Sequence, residues 1–323
     1  MGVKYLNGYF TYNCSKDAIY KTNIEQWKDK TIVVDTSIYL YKFLTDGCFM
    51  EQLYLFLSIF KYYCINAVFI FDGKPPPEKW PLLRQRYEDK KKAQDKYDEL
   101  QNALTDLSGN SYESTVVQLN ELRKKMVKIR PENIQDAKTL MTAFGFVYLE
   151  APCEADILCA FMVNRGYAWA CLSEDMDMFL LGCPRILRNM SLLGHTWTLY
   201  HTDMILNELK LSLKELVEII VLSGSDYTVG TKKPIKYILD TYRNTDTNIS
   251  METVYEFYKQ LYSCESIIPV ETFNKYCSLF EINHLNDLLE PILNIYTEQL
   301  DHVKMNIREI YKLMEPHGFI FLD

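Results

Sequence analysis

Seven carboxylates in this 323-residue chain stand where they could act together. Asp35 closes TIVVD, Asp72 closes AVFIFD, Glu154 and Asp156 lie in APCEAD, Asp175 and Asp177 in SEDMD, and Asp226 in LSGSDY. In three of these places an apolar run rich in Val, Ile and Phe gives way to polar residues, the pattern of a buried parallel strand at its carboxyl end. Ligands of open α/β sheets bind in the crevice at that end, so Asp35, Asp72 and the Asp175/Asp177 pair should meet on one rim. Carboxylates crowded in this way repel and raise one another's pKa, and a divalent cation is the simplest relief at neutral pH. Oxygen-only donors favour Mg²⁺ or Mn²⁺ over zinc.

Composition sets the frame for that chemistry. A chain with 48% hydrophobic and 24% charged residues can bury a substantial core. No apolar stretch approaches the roughly 20 residues needed to span a bilayer. MGVKYLNGYF lacks the apolar region of a signal peptide, and Leu at position 6 argues against myristoylation of Gly2. Nine cysteines without a CxxC pair read as reduced, packed thiols and an intracellular compartment, and five scattered histidines argue against zinc or a His-based triad. A net charge of −8 is unusual for a nucleic-acid protein, but seven acids occupied by metal would leave the remainder close to neutral.

The elements that must position the acids follow from periodicity. TIVVDTSIYLYKFL passes from strand to helix, MEQLYLFLSIFKYYC continues as a helix, and AVFIFD is the next strand, which together make a βαβ unit. The prolines of GKPPPEKWP mark a turn. LRQRYEDKKKAQDKYDELQNAL and VVQLNELRKKMVKIR, separated by DLSGNS, read as two helices with so few apolar positions that a solvent-bridging hairpin is expected. The α/β pattern resumes from Pro131: helix to Phe144, strand FVYLE, helix in CEADILCAFMVNRG, strand YAWACL, then PRILRNM and TWTLY as further strands. LSLKELVEIIVLSG predicts a helix ending in a left-handed cap at Gly224, and the Tyr-rich remainder reads as mainly helical.

The order and wording of these motifs resemble the flap endonuclease family, the structure-specific 5′ nucleases that include XPG, from Met1 to at least Arg243. The carrying pieces are MGVKYL, VVDTSIYLYKFL, FIFDGKPPPEK, APCEADILCA, SEDMDMFLLG and LSGSDY. The resemblance implies a PIN-like or Rossmann-like α/β fold with a mostly parallel sheet, in a single domain over residues 1–323. Residues 1–72 and 131–226 would be its nuclease regions, 73–130 a helical arch, and 227–323 a helical duplex-binding region with a degenerate helix-two-turn-helix. It implies that Asp35, Asp72, Glu154, Asp156, Asp175, Asp177 and Asp226 hold two Mg²⁺ ions, directly or through water, with Mn²⁺ able to substitute. Lys79 and Arg86 match the basic pair that meets the scissile phosphate. Tyr41 matches the aromatic that stacks beside the cut, and Gly2 the terminal residue close to the DNA. Taken alone, an acid at a strand end is more often a helix cap or a solvated turn, and Glu174 reads as such a solvated residue. Glu154 and Asp156, two apart, share a face only if the helix starts between them or one acts through water.

Some positions depart from the pattern. The family's Gly-x-Gly hairpin reads VGTKK, with Gly230 kept and Lys232 in the second place, which puts its potassium site in doubt. Lys232, Lys233 and Lys236 would instead offer charge to duplex phosphates. The arginines expected on the helix before AVFIFD are reduced to Lys61, and no sliding-clamp peptide is evident near HGFIFLD. A monomeric, clamp-independent enzyme, viral or otherwise divergent, fits those losses, at a nuclear or cytoplasmic replication site and without a membrane. Residues 74–130 carry thirteen cations against nine acids, which suits passage of a nucleic acid. The implied function is Mg²⁺-dependent cleavage of flapped or branched DNA in replication, repair or recombination. An RNA-cleaving relative and a noncatalytic DNA-structure-binding module are the alternatives. A haloacid-type phosphatase is excluded because DTSIY lacks its Asp-x-Asp-x-Thr strand end.

Overall fold

Strands that are apolar at almost every position need cover on both faces. TIVVD and NAVFIF receive it. The structure, a computed structural model, describes residues 5–104, 110–224, 235–244, 254–262, 268–300 and 304–321. Within them β1 (Ile19–Asn23), β2 (Thr31–Asp35), β3 (Asn66–Phe71), β4 (Val147–Glu150), β5 (Ala170–Leu172), β6 (Arg185–Ser191) and β7 (Thr196–His201) form one sheet in the order β1-β7-β6-β5-β2-β3-β4. The run β6-β5-β2-β3-β4 is parallel, and β7 and β1 add an antiparallel edge.

Side chains along the central strands alternate between two cores, as a period of two requires. Val33, Val68 and Ile70 enter one core, while Ile32, Val34, Phe69 and Phe71 enter the other. The second core is closed by α2 (Thr36–Asp46), α3 (Phe49–Tyr62), α6 (Pro131–Ala143) and α15 (Ile307–Met314). The first is closed by α1 (Leu6–Asn13), α7 (Ala155–Asn164), α8 (Asp177–Leu180), α9 (Thr202–Leu209) and α10 (Leu213–Ser223). Between α10 and α15 the described elements are helical and join the first core: α11 (Ile235–Asn244), α12 (Val254–Tyr262), α13 (Val270–Ser278) and α14 (Asn286–Leu300).

The hairpin anticipated from charge consists of α4 (Trp80–Ala103) and α5 (Asn110–Met126). Only Ala93 of α4 is buried, and α5 buries Thr115, Leu119 and Leu122. The two helices pack against each other, and most of their other positions are exposed or half-buried.

Three features differ from the sequence reading. The segment between β2 and β3 is two helices, divided at Gly47, whose φ of 81° is left-handed. The polar edge strand β1 and helix α1 were not anticipated, because IYKTN and LNGYFTYN show no strong periodicity. Gly224 does have positive φ, 118°, but its ψ of 121° lies outside the left-handed helical region, so the predicted cap geometry is not formed.

Candidate active site

Because β2, β3 and β5 run parallel, their carboxyl ends share one rim. Asp35 is the last residue of β2 and pairs in register with Ile70 of β3, two residues before Asp72. A cavity of about 470 Å³ opens there and is lined by Asp35, Asp72, Glu154, Asp156 and Asp175, five of the seven acids, together with Tyr41, Lys79 and Arg86. Asp177 is not in the lining. It is buried at the first position of α8, where its backbone N–H donates to Asp175 Oδ1 at 3.1 Å.

The ordinary explanation for such acids, helix capping, applies to some and fails for others. Asp35 occupies the N-cap position of α2 without capping it, and its Oδ2 instead accepts from the buried Ser173 hydroxyl at 2.9 Å. The same hydroxyl accepts from the Asp175 N–H at 3.1 Å, which links two acids of the rim. Asp72 Oδ1 accepts from the Ala155 N–H at 2.9 Å, so a strand-end acid caps a helix distant in sequence. Glu154 is the N-cap residue of α7, and the helix begins between it and Asp156. That start is the condition under which residues two apart can serve one site. The N-terminus of α7 adds positive dipole potential to the rim.

Crowding has an electrostatic signature. Burial, then the charges of Asp72 and Asp156, push the Asp35 carboxyl well above its ordinary range, opposed by the Ser173 hydrogen bond. Asp156 is pushed up to about 8, first by burial and then by Glu154, with the Lys79 ammonium working the other way. Among the described residues no three acid, imidazole or thiol side chains form a ready-made metal cage. The donor set still fits a hard divalent ion, since it is all carboxylate and crowded around one cavity, with a mutual repulsion that such an ion would relieve.

The opposite wall is basic. Lys79 ends a 3-10 turn over Pro77–Lys79 and forms a largely buried ion pair with Glu154. Along α4 the cavity meets Leu83, Arg86, Tyr87 and Lys90, one face at helical spacing. Lys90, not singled out from the sequence, lies 4.6 Å from the centroid of the Tyr41 ring and donates to Val127 O at 2.9 Å. The Tyr41 hydroxyl donates to the same carbonyl at 3.0 Å. Lys128 also lines the cavity. Stepping along α4 from Lys79 and Arg86 in a period of 3.6 would have found Lys90. Nothing local marks Ser173 or Lys128.

Other expected positions lie elsewhere. Lys236, on α11, places its ammonium 5.1 Å from the exposed Tyr12 ring and does not line the cavity. Lys61 donates to Gly145 O at 3.0 Å and stands over the Phe146 ring, which makes it a packing residue. Glu174, expected to be solvated, is partly so, but its carboxylate also accepts from the Asn189 N–H at 2.7 Å. Asp226, Gly2, Gly230, Lys232 and Lys233 fall outside the described residues.

Comparison with known proteins gives a consistent result. The family model described as XPG N-terminal domain matches residues 1–93, and that described as XPG I-region matches residues 145–226. Flap endonuclease 1 of Methanococcus aeolicus is 26% identical over 279 residues, covering 78% of this chain and 81% of the relative. Flap endonuclease 1 of Hyperthermus butylicus is 29% identical over 256 residues, 69% of this chain and 70% of the relative. A solved structure of the catalytic core of Rad2 in complex with DNA substrate superposes with a TM-score of 0.66 at 19% identity, covering 98% of this chain and 95% of that one. Two matched regions that together span more than half of the sequence, and that contain the acids of the rim, place this chain in the flap endonuclease/XPG family of hydrolytic nucleases.

Proposed function

We propose that this protein is a Mg²⁺-dependent, structure-specific 5′ nuclease that cuts DNA at 5′ flaps or other junctions of single and double strand. The observation that carries the reading is the meeting of Asp35, Asp72, Glu154, Asp156 and Asp175 in one cavity faced by Lys79, Arg86 and Tyr41. The acids would hold two divalent ions, with Asp177 and Asp226 completing the set. When bound, such ions supply a hydroxide nucleophile and stabilise the departing oxygen of an in-line displacement. Lys79, which pairs with Glu154 in the structure, and Arg86 would meet the non-bridging oxygens of the scissile phosphate. Tyr41 would stack on the nucleotide beside the cut, an interaction worth about 1–3 kcal/mol. The helices α4 and α5 would form the passage for the single strand.

Relatives named flap endonuclease 1, and a Rad2 core described with DNA substrate, support DNA as the substrate. The test is cleavage mapping on a 5′-flap DNA, with and without a bulky block at the 5′ end, beside a matched RNA flap. The expected result is Mg²⁺-dependent cutting of the DNA flap near the junction, suppressed when the block is placed before binding. Failure to cut any flap, nick or gapped substrate in Mg²⁺ or Mn²⁺ would refute the catalytic reading, and preferential cutting of RNA would refute the substrate.

A further inference from the structure

The loop that carries Asp175 is held from behind by a buried arginine. Arg188, on β6, is 7% exposed, and its guanidinium contacts the residue on each side of Asp175. Nη2 donates to the Glu174 carbonyl at 2.8 Å, and Nη1 lies 2.6 Å from Met176 Sδ. Nη1 also donates to Asn7 Oδ1 at 3.1 Å, a carboxamide oxygen that accepts in addition from the Tyr200 hydroxyl at 2.8 Å. The Glu174 side chain closes the loop in the other direction. Its Oε1 accepts from the Asn189 N–H at 2.7 Å, and its Oε2 stands 3.8 Å from Arg188 Nε.

The backbone is shaped for this grip. Asn189 has a φ of 53°, the left-handed region that non-glycine residues seldom adopt, and it sits where the β6–β7 register shifts between Arg188 and Ser191. A bulge re-aims backbone groups. Here the N–H of Asn189 meets the Glu174 carboxylate. On the cavity side, Ser173 joins the Asp175 N–H to Asp35. Asp175 is therefore the apex of a loop fixed at residues 173, 174 and 176.

From this we infer that Glu174 and Arg188 are a positioning pair that sets the place of the Asp175 carboxylate, and through it the affinity of the site for divalent ions. The inference rests on the metal-dependent reading above. Neither side chain lines the cavity or touches the reacting atoms, so the pair acts only through the loop. Partners of this kind behind a ligand change metal affinity or activity by about 10–100-fold when removed.

The test is Mn²⁺ binding to the full chain, followed by the electron paramagnetic resonance of free Mn²⁺, with thermal unfolding measured in parallel. Glu174→Ala is expected to weaken Mn²⁺ binding by about 10-fold or more while the protein remains folded. Glu174→Gln keeps an acceptor for the Asn189 N–H and should recover most of the affinity. Tyr200→Phe removes the hydrogen bond to Asn7 while keeping the ring against Arg188, and should leave Mn²⁺ affinity at the wild-type level. Arg188→Ala removes a buried charge and risks misfolding, so the Glu174 variants carry the decision. Wild-type affinity in Glu174→Ala, or an equal loss in Tyr200→Phe, overturns the positioning role. A wild-type protein that takes up no Mn²⁺ overturns the metal reading itself.

Discussion

The acid-bearing rim and the α4–α5 hairpin face one cavity but are held in opposite ways. The rim grows from β2, β3 and β5, where Ile32, Val33, Val34, Phe69, Ile70 and Leu172 are all 0% exposed. The hairpin contributes Arg86 and Lys90 from a helix in which only Ala93 is buried, and the turn that precedes it contributes Lys79. Metal ligands need placement within a fraction of an ångström, and strand ends in a two-sided core provide it. A passage for a flexible strand needs the reverse, an element that opens at low cost. The contrast teaches that the acids stand on the most deeply packed part of the molecule and the cations that face them on one of its most solvated parts.

The sharpest way to break that comparison is to remove one member of each side. Asp175→Ala should reduce flap cleavage in Mg²⁺ by more than about 100-fold, the upper end of effects already seen for groups behind a ligand. Flap binding measured in Ca²⁺ should be unchanged or tighter, because a negative charge facing phosphates has gone. Unchanged turnover would sink the assignment of the rim. Lys79→Met should lower kcat by about 100-fold and, because it takes the ammonium away from Glu154 and Asp156, should also lower the metal-free Tm. An equal loss in a Lys79→Met protein that no longer binds the flap would instead make this residue part of substrate capture.

A smaller, structural effect separates the two regions by stability. Leu172→Ala opens a cavity in the central strand β5 and should cost about 2–5 kcal/mol of global stability by denaturant unfolding. Leu119→Ala, at a buried position of α5, should leave the global transition within about 1 kcal/mol and appear as faster proteolysis between residues 80 and 126. A shared loss of global stability would show that the hairpin folds as part of the core.

The same contrast explains what could be read from the residues alone. β2 and β3 are legible because burial on both faces leaves unbroken apolar runs, and the acid that ends each run is the visible edge of the rim. α4 and α5 are legible because solvation on nearly every face leaves charge. Glu174 is not, since its partners Arg188 and Asn189 lie on another strand and its motif offers only one more acid in an acidic loop. Ser173 is hidden for the same reason, because its value comes from standing between Asp35 and Asp175 in space. Tyr41 is legible as an aromatic at the right place, but its engagement by Lys90 and Val127 depends on the hairpin closing over it. Local pattern reports burial and periodicity; tertiary hydrogen bonds leave no local trace.

The smallest expected effect tests the electrostatics of the rim without any substrate. Asp156 has its pKa raised from 3.8 to about 8, and Asp35 is raised in the same direction. A carboxyl with a raised pKa binds its proton more tightly in the folded state than in the unfolded state. Its contribution to stability is therefore fully present below the unfolded value near 4, and is lost as pH climbs to the folded value near 8. In chelator, Tm should fall between pH 5 and pH 8, by a few degrees for each 1–2 kcal/mol of lost stability. Mg²⁺ neutralises the same repulsion and binds only the folded protein, so at about 100 times its Kd it should return roughly 2.7 kcal/mol and flatten the profile at the alkaline end. Asp156→Asn should reduce the slope in chelator, both by removing this carboxyl and by relieving part of the push on Asp35. A metal-free Tm that stays level or rises from pH 5 to pH 8 would mean that the rim acids are not held against one another, and the case for a site strained toward divalent ions would fall with it.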